Sequence, residues 1–267
     1  MKPRILFFDS GIGGLSIYQE TMRLLPQVEC LYCLDNGAFP YSEKSEEVII
    51  ERTATICQKI NALYPLDLIV VACNTASTIV LPKLRATFSF PIVGTVPAIK
   101  PAAQISQSKH IALVATKGTV KRPYVHQLIN NFAGNCRIES FGSTLLVEMA
   151  ENKLQGIPVN ELELNHHLQA LKQIGDLDTV VLGCTHFPFL EDELRLALPQ
   201  VKNFVNSGKA IANRIQSLLI TVANKCYDAS QCVHDDKKLF ATAPLPQAKI
   251  QLFNSLGFHL EKILTVE

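Results

Sequence analysis

Neither sign of charge dominates this sequence. Its 267 residues carry 25 Lys and Arg against 24 Asp and Glu, a formal charge of +1 at pH 7. There is no basic excess with which to hold nucleic acid or an acidic membrane surface, so neither partner is expected. Long apolar runs are missing too. The densest, Leu66 to Cys73, is interrupted by Asp67 and stopped at Asn74, well short of the roughly 18 to 20 residues of a membrane helix. The start, Met1-Lys2-Pro3-Arg4, has the charge of a signal peptide, but its apolar stretch ends at Phe8 before Asp9, against about 7 to 15 residues for a true signal core. A cytoplasmic location is therefore expected. Eight cysteines are too few for a disulfide scaffold and read as buried apolar residues or reactive thiols in a reducing compartment. What is present is a 48% hydrophobic, 18% charged composition, enough to bury the core of a globular protein with room for two small domains.

Short apolar runs alternate with longer amphipathic stretches. Ile5–Phe8, Leu31–Leu34, Leu68–Ala72, Ile111–Ala115, Val180–Leu182 and Leu239–Ala241 read as buried strands, and the intervening segments carry helical spacing. This is the pattern of an α/β protein with mainly parallel sheets. Helix starts are read at Ser42, ahead of Glu43 and Lys44, and at Ser207-Gly208, ahead of Ile211, Ile215, Leu218 and Leu219.

Two halves of the chain look alike. Ile5 to Gly13 and Ile111 to Thr119 are each an apolar strand entering a polar, Gly-containing turn, 106 residues apart. Leu68 to Thr75 and Thr179 to His186 each place a Cys just past a buried strand, with Cys73 and Cys184 111 residues apart. A duplicated domain explains both spacings; a coincidence among common α/β patterns is the alternative. Phe90 to Pro101 reads as the crossover between copies, and the C-terminal segment as a return to the first.

Ala72-Cys73-Asn74-Thr75 and Gly183-Cys184-Thr185-His186 are the most informative sites. Ligands of open α/β sheets bind beyond the carboxyl ends of strands, where helix starts supply unsatisfied N–H donors and lower a thiol's pKa. Either Cys alone reads as a buried small residue; the matched pair favours chemistry. His186, two residues past Cys184, is placed to exchange a proton or to hold the thiol as thiolate. Asp9-Ser10-Gly11-Ile12-Gly13-Gly14 invites a dinucleotide-binding reading, with Asp35 as the ribose acid. However, Ser16 stands where the third glycine belongs, and Asp9 would oppose a pyrophosphate. Asp9 is better read as an acid or base partner beside a reactive centre.

The remaining candidates are weaker. Cys30 and Cys33 form a lone C-x-x-C within a strand, where residues three apart face opposite sides, so core packing accounts for them. Cys226, Cys232 and His234 could ligate metal but lack a regularly spaced fourth ligand, and no metal site is assigned. His166 and His167 read as solvated, Cys57 and Cys136 have no supporting context, and composition alone makes Glu151 a solvated carboxylate.

With these motifs in view, the chain resembles the cofactor-independent glutamate racemases of bacteria. The likeness covers nearly its whole length: Phe8-Asp9-Ser10-Gly11-Ile12-Gly13-Gly14-Leu15, Asp35 with Phe39-Pro40-Tyr41, Glu43 to Glu46, Ala72 to Ser77, Ala115 to Thr119, Leu182 to Pro188, and Val205 to Gly208. The resemblance implies two pseudosymmetric α/β domains, 1–96 with 207–267 and 97–206, with the active site between them. It implies that Cys73 and Cys184 face opposite sides of the substrate α-carbon and that Asp9, Glu151 and His186 assist proton transfer. It further implies that Ser10, Pro40, Tyr41, Ser42, Asn74, Thr75, Thr116, Thr119 and Thr185 bind L- or D-glutamate, made into D-glutamate for peptidoglycan. No cofactor is implied. A homodimer is allowed for, the sequence itself fixing no oligomeric state. Asn36-Gly37-Ala38, Ser42, Ser143-Thr144 and Asn206 depart from the usual family residues, and none of these is assigned to proton transfer.

The residues suit this chemistry. Racemisation removes hydrogen from a weakly acidic carbon and returns one to the opposite face, a task for two positioned bases. Donors such as the clustered Ser, Thr and Asn stabilise the developing carbanion through the substrate carboxylates. The rival readings are a racemase of aspartate or another acidic amino acid, a Cys-His hydrolase using Cys184 and His186, and a non-catalytic binding protein.

Overall fold

The computed structural model describes residues 2–223 and 237–266. Cys226, Cys232 and His234 lie outside them. Among the described residues are ten strands: β1 (Arg4–Asp9), β2 (Glu29–Leu34), β3 (Leu68–Val71), β4 (Ile92–Gly94), β5 (His110–Ala115), β6 (Arg137–Gly142), β7 (Thr179–Leu182), β8 (Asn203–Val205), β9 (Lys237–Ala241) and β10 (Phe258–Ile263). They form a six-stranded sheet in the order β10-β9-β2-β1-β3-β4 and a four-stranded sheet in the order β6-β5-β7-β8. Every pairing is parallel. The mixed α/β class expected from the sequence is what the chain adopts.

The chain divides into two compact units, Met1–Thr95 with Gly208–Glu267, and Val96–Ser207. Taken separately, they repeat one plan. In each, the first strand lies inside the sheet, the second flanks it on one side, and the third and fourth extend the other side. The register repeats as well: Ile5 pairs with Cys30 and Leu68, and Ile111 with Ile138 and Thr179. The first sheet differs by gaining β9 and β10, with β9 pairing directly to β2.

Parallel strands covered on both faces are nearly continuous apolar runs, and β3, β5 and β7 are buried at every residue, the polar His110 and Thr179 at the starts of β5 and β7 included. On one face of the first sheet, Leu6, Phe8, Ile69 and Val71 pack with Ile49, Ile56 and Ile60 of the helix Glu46–Leu63. On the other, Phe7 meets Tyr18 edge-on at 5.6 Å, and Tyr18, Tyr32, Phe253 and Phe258 continue the aromatic layer. The smaller sheet packs Ile111, Leu113, Ala115 and Val181 against Ile99, Ala102 and Val125. No helix among the described residues is long and apolar enough to cross a membrane.

One helix start differs from the expectation. Ser42 lies in a 3-10 turn, Tyr41–Glu43, and the helix begins after Ser45, whose hydroxyl accepts the Val48 N–H at 3.4 Å. Glu46 and Glu47 in that first turn complement the positive end of the helix. The start read at Ser207-Gly208 is where the helix Gly208–Ala223 begins.

Candidate active site

In both sheets the winding direction reverses between the first and third strands, and a crevice at the carboxyl ends of such a pair is the ligand site of open α/β folds. In the first unit these ends are Asp9-Ser10 at the end of β1 and Ala72-Cys73 after β3. In the second they are Thr116 after β5 and Gly183-Cys184 after β7. The tethers match: Ala72 N–H donates to the Phe8 carbonyl at 2.8 Å, and Gly183 N–H to the Val114 carbonyl at 2.7 Å.

At the first site Asp9 is buried, and its Oδ1 accepts the Ser10 N–H at 2.6 Å. The Ser10 hydroxyl lies 3.9 Å from Cys73 Sγ, within reach of a weak sulfur hydrogen bond. Cys73 starts the single helical turn Asn74–Ser77. Asn74 and Thr75 are buried beside it, and the Asn74 Nδ2 donor has no hydrogen-bond partner among the described residues. A buried donor without an acceptor is costly, and a ligand carboxylate would complete it. Gly14 permits the close approach of these segments: a Cβ there would sit 2.6 Å from the Tyr32 hydroxyl, 2.9 Å from Ala72 Cβ and 3.0 Å from Asp9 Oδ2.

The Pro40-Tyr41-Ser42 segment is held from behind by Asp35, whose carboxylate is fully buried. It accepts from Tyr41 Oη at 2.6 Å, from Arg52 Nε and Nη2 at 2.8 and 2.7 Å, and from Thr242 Oγ1 at 2.6 Å. Burial opposes its ionisation, but the hydrogen bonds from Arg52, Thr242 and Tyr41 outweigh that and hold it below the usual carboxylate range. Asp35 is thus saturated by protein groups, which disposes of its reading as a ribose acid. Burial and the adjoining Asp35 carboxylate push the Tyr41 phenol well up. Pro40 and Ser42 are half-buried.

At the second site Cys184 Sγ lies 3.7 Å from His186 Nδ1, and His186 Nε2 lies 2.8 Å from Glu151 Oε1. All three side chains are buried, so Glu151 is not the solvated carboxylate that composition suggests. Burial works against a charged imidazole, yet the hydrogen bonds to Cys184 and Glu151 prevail and raise His186 from 6.5 to about 10. Glu151 projects from the helix Leu145–Leu154. Lys153 of that helix ties it to the Phe189 carbonyl and to Glu193, both at 2.8 Å. Thr116 caps the turn Lys117–Val120, accepting from Thr119 N at 3.2 Å with the two hydroxyls 2.9 Å apart. Thr119 and Thr185 are buried.

The other thiols behave differently. Cys73 and Cys184 each keep 6% of their surface exposed, against 1% for Cys30 and none for Cys33 and Cys57. Burial pushes Cys30 up to about 12 and Cys33 and Cys57 well up, leaving all three in the core, as expected for Cys30 and Cys33.

Residues 13–215 match the family described as Asp/Glu/Hydantoin racemase. The chain belongs to that family. Within this racemase family, the glutamate racemase of Histophilus somni (strain 129Pt) is 57% identical over 249 residues, covering 93% of this chain and 91% of that protein. The glutamate racemase of Pasteurella multocida (strain Pm70) is 62% identical over 218 residues, covering 82% and 81%. Among solved structures, Escherichia coli glutamate racemase in complex with L-glutamate and the activator UDP-MurNAc-Ala aligns with a TM-score of 0.92 at 46% identity, covering 100% of each chain.

Two residues carry more than their sequence neighbourhoods indicate. His167 is half-buried rather than solvated, with Nε2 2.8 Å from the Ser143 hydroxyl and its ring edge-on to Phe141 at 5.1 Å. Arg52, on a half-exposed turn of its helix, is the main cation on Asp35. Neither stands in a recognisable motif, and only their tertiary partners reveal them.

Proposed function

We infer that this racemase interconverts L- and D-glutamate by proton transfer at the α-carbon, with Cys73 and Cys184 as the two acid-base groups. The observation that carries the reading is the repeat itself: two units of one topology each deliver a thiol to the same strand end, each thiol beside a different supporting group. Membership of the racemase family and 57% to 62% identity to glutamate racemases support glutamate over aspartate as substrate. A hydrolase using Cys184 and His186 alone would have no use for Cys73.

In the L-to-D direction the Cys184 thiolate takes the α-proton and the Cys73 thiol returns a proton to the other face; D-to-L reverses the roles. Glu151 fixes the imidazole of His186 beside the Cys184 sulfur. Ser10 supports Cys73, with Asp9 behind it. The Asn74 amide and the hydroxyls of Ser10, Thr75, Thr116, Thr119 and Thr185 receive the substrate carboxylates and stabilise charge as the carbanion forms. The chemistry is complete with these groups and the substrate's own ammonium, so chelators should leave turnover intact. The product is D-glutamate for peptidoglycan and cell shape, made in a cytoplasm that keeps both thiols reduced.

The deciding experiment follows the hydrogen. In deuterated water the first D-glutamate formed from L-glutamate should carry deuterium at the α-carbon, while recovered substrate stays unlabelled. Early product that retains the original hydrogen, measured by mass spectrometry, would overturn the two-thiol mechanism.

A further inference from the structure

We propose that His167 is a positioning residue: by accepting the Ser143 hydroxyl proton, it fixes the start of the Leu145–Leu154 helix and, through that helix, Glu151 and the imidazole of His186. The proposal rests on the role given above to the Cys184–His186–Glu151 chain, and it concerns how that chain is mounted.

The helix is held at two places. Toward its C-terminal end, Lys153 binds the Phe189 carbonyl and Glu193, and Glu151 binds His186. Toward its N-terminal end, the Ser143 hydroxyl accepts the Leu146 N–H at 3.0 Å and lies 2.8 Å from His167 Nε2. Ser143 is fully buried, so each hydrogen-bonding role of its hydroxyl has to be filled from within the protein. With neutral His167 protonated on Nδ1, the roles close: Leu146 N–H donates to Oγ, and Oγ–H donates to Nε2. Once His167 is protonated, Nε2 becomes a donor as well. The serine hydrogen must then find another acceptor, and the cap is disturbed.

The surroundings favour the neutral imidazole. Burial lowers the affinity of His167 for a proton, and the Lys117 ammonium and His166 act in the same direction, while Glu163 opposes them. Phe141 presents its ring from β6. Lys117 opens the turn that Thr116 caps, so a charged His167 would press on two site-bearing elements at once. Ser143 and Asp35 also occupy matching places in the repeat: Ser143 N–H donates to the carbonyl of Ala115, the last residue of β5, and Asp35 N–H to that of Asp9, the last residue of β1. In each unit the residue at the end of the second strand braces the site from behind.

The test compares wild type with His167→Gln, which keeps a neutral acceptor that does not titrate, and His167→Ala, which removes it. Hydrogen exchange of the amides at 145–148 and steady-state kinetics are followed from pH 5 to 8. In wild type, protection of Leu146, corrected for intrinsic exchange, should fall as pH drops below the ordinary imidazole range. His167→Gln should hold its protection across that range, and His167→Ala should show little at any pH. Long-range coupling of this kind moves rates by about 2- to 30-fold. At pH 7.5, kcat should fall by an amount in that range in His167→Ala with KM within about twofold, and recover in His167→Gln. Protection in wild type that ignores pH, or a His167→Gln profile identical to wild type, would overturn the proposal. Expected protection with kcat unmoved in His167→Ala would overturn the link to Glu151. Loss of turnover in wild type itself would instead count against glutamate racemisation, while the exchange data would still report on the cap.

Discussion

Replacing Glu151 by Gln isolates the charge that supports His186. The amide keeps an acceptor near Nε2, now 2.8 Å from the carboxylate, but deletes the negative charge in a site where His186 is 3% exposed and Glu151 6%. A hydrogen bond between charged groups is worth about 1.5 to 3 kcal/mol, and each 1.4 kcal/mol is about tenfold in rate. The variant should therefore lose roughly 10- to 100-fold in kcat/KM. Enantiomers have equal free energies, so that loss must be the same in both directions. The asymmetry appears in the isotope effect. If His186 serves Cys184 and Cys184 serves L-glutamate, the α-deuterium effect on kcat/KM should grow for L-glutamate and shrink for D-glutamate. Circular dichroism of each reaction with α-deuterated substrates measures both. Stability offers a second check, because His186 is raised to about 10 in the folded protein. Its contribution is complete below the ordinary pKa of about 6.5 and is lost as pH rises through about 10. Denaturant unfolding should thus show wild type losing part of its margin over Glu151→Gln between pH 7 and 10. Equal isotope effects for the two enantiomers, or a wild-type rate in the variant, would refute the assignment.

Cys73→Ala and Cys184→Ala should each cut racemisation by at least the 10²- to 10⁴-fold range of a general acid or base, with unchanged circular dichroism; Cys30→Ala should keep most activity. Gly14→Ala drives a methyl toward Tyr32, Ala72 and Asp9, so a lower melting temperature and a lower kcat are expected together. Asp35→Asn removes the charge that Arg52, Tyr41 and Thr242 converge on. It should destabilise by about 3 to 5 kcal/mol in urea unfolding near pH 7. Because the Asp35 pKa is depressed, this difference is present above about pH 4 and shrinks as pH falls through the folded value. Incubation with a chelator should leave the rate unchanged; loss that a single metal restores would contradict the two-thiol chemistry.

The interior of the fold was legible because parallel strands buried on both faces must be apolar. β1, β3, β5 and β7 announce themselves for that reason. β6 and β10 lie at sheet edges, exposed or half-buried along nearly all their length, and Arg137, Glu139, His259 and Glu261 conceal them. β4 and β8 are three residues each, too short for a period to register. The thiols were legible because the repeat supplied two copies of one signal. Glu151 was not legible from composition, since its burial depends on a partner 35 positions away in sequence. His167 misled for the same reason: a polar helix predicts a wet face, and contacts with Ser143 and Phe141 make it otherwise. Ser42 and Ser45 are equally good caps by residue type, and the turn at Tyr41, anchored on Asp35, decides between them.

The pairing of β9 with β2 also orders events during synthesis. The second unit, Val96–Ser207, is contiguous, and its four strands are all available once the ribosome has passed β8. The first sheet is not complete then. Until β9 and β10 emerge, β2 is a bare edge, with Leu31 to Leu34 lacking the neighbours that cover them in the finished protein. Asp35 likewise waits for Thr242. An α/β unit whose edge stays open while the rest of the chain is made is exposed to edge-to-edge pairing with other nascent chains. A pause or truncation before β9 would therefore yield a well-formed middle and an adhesive beginning, and aggregation of stalled chains should track loss of that one strand.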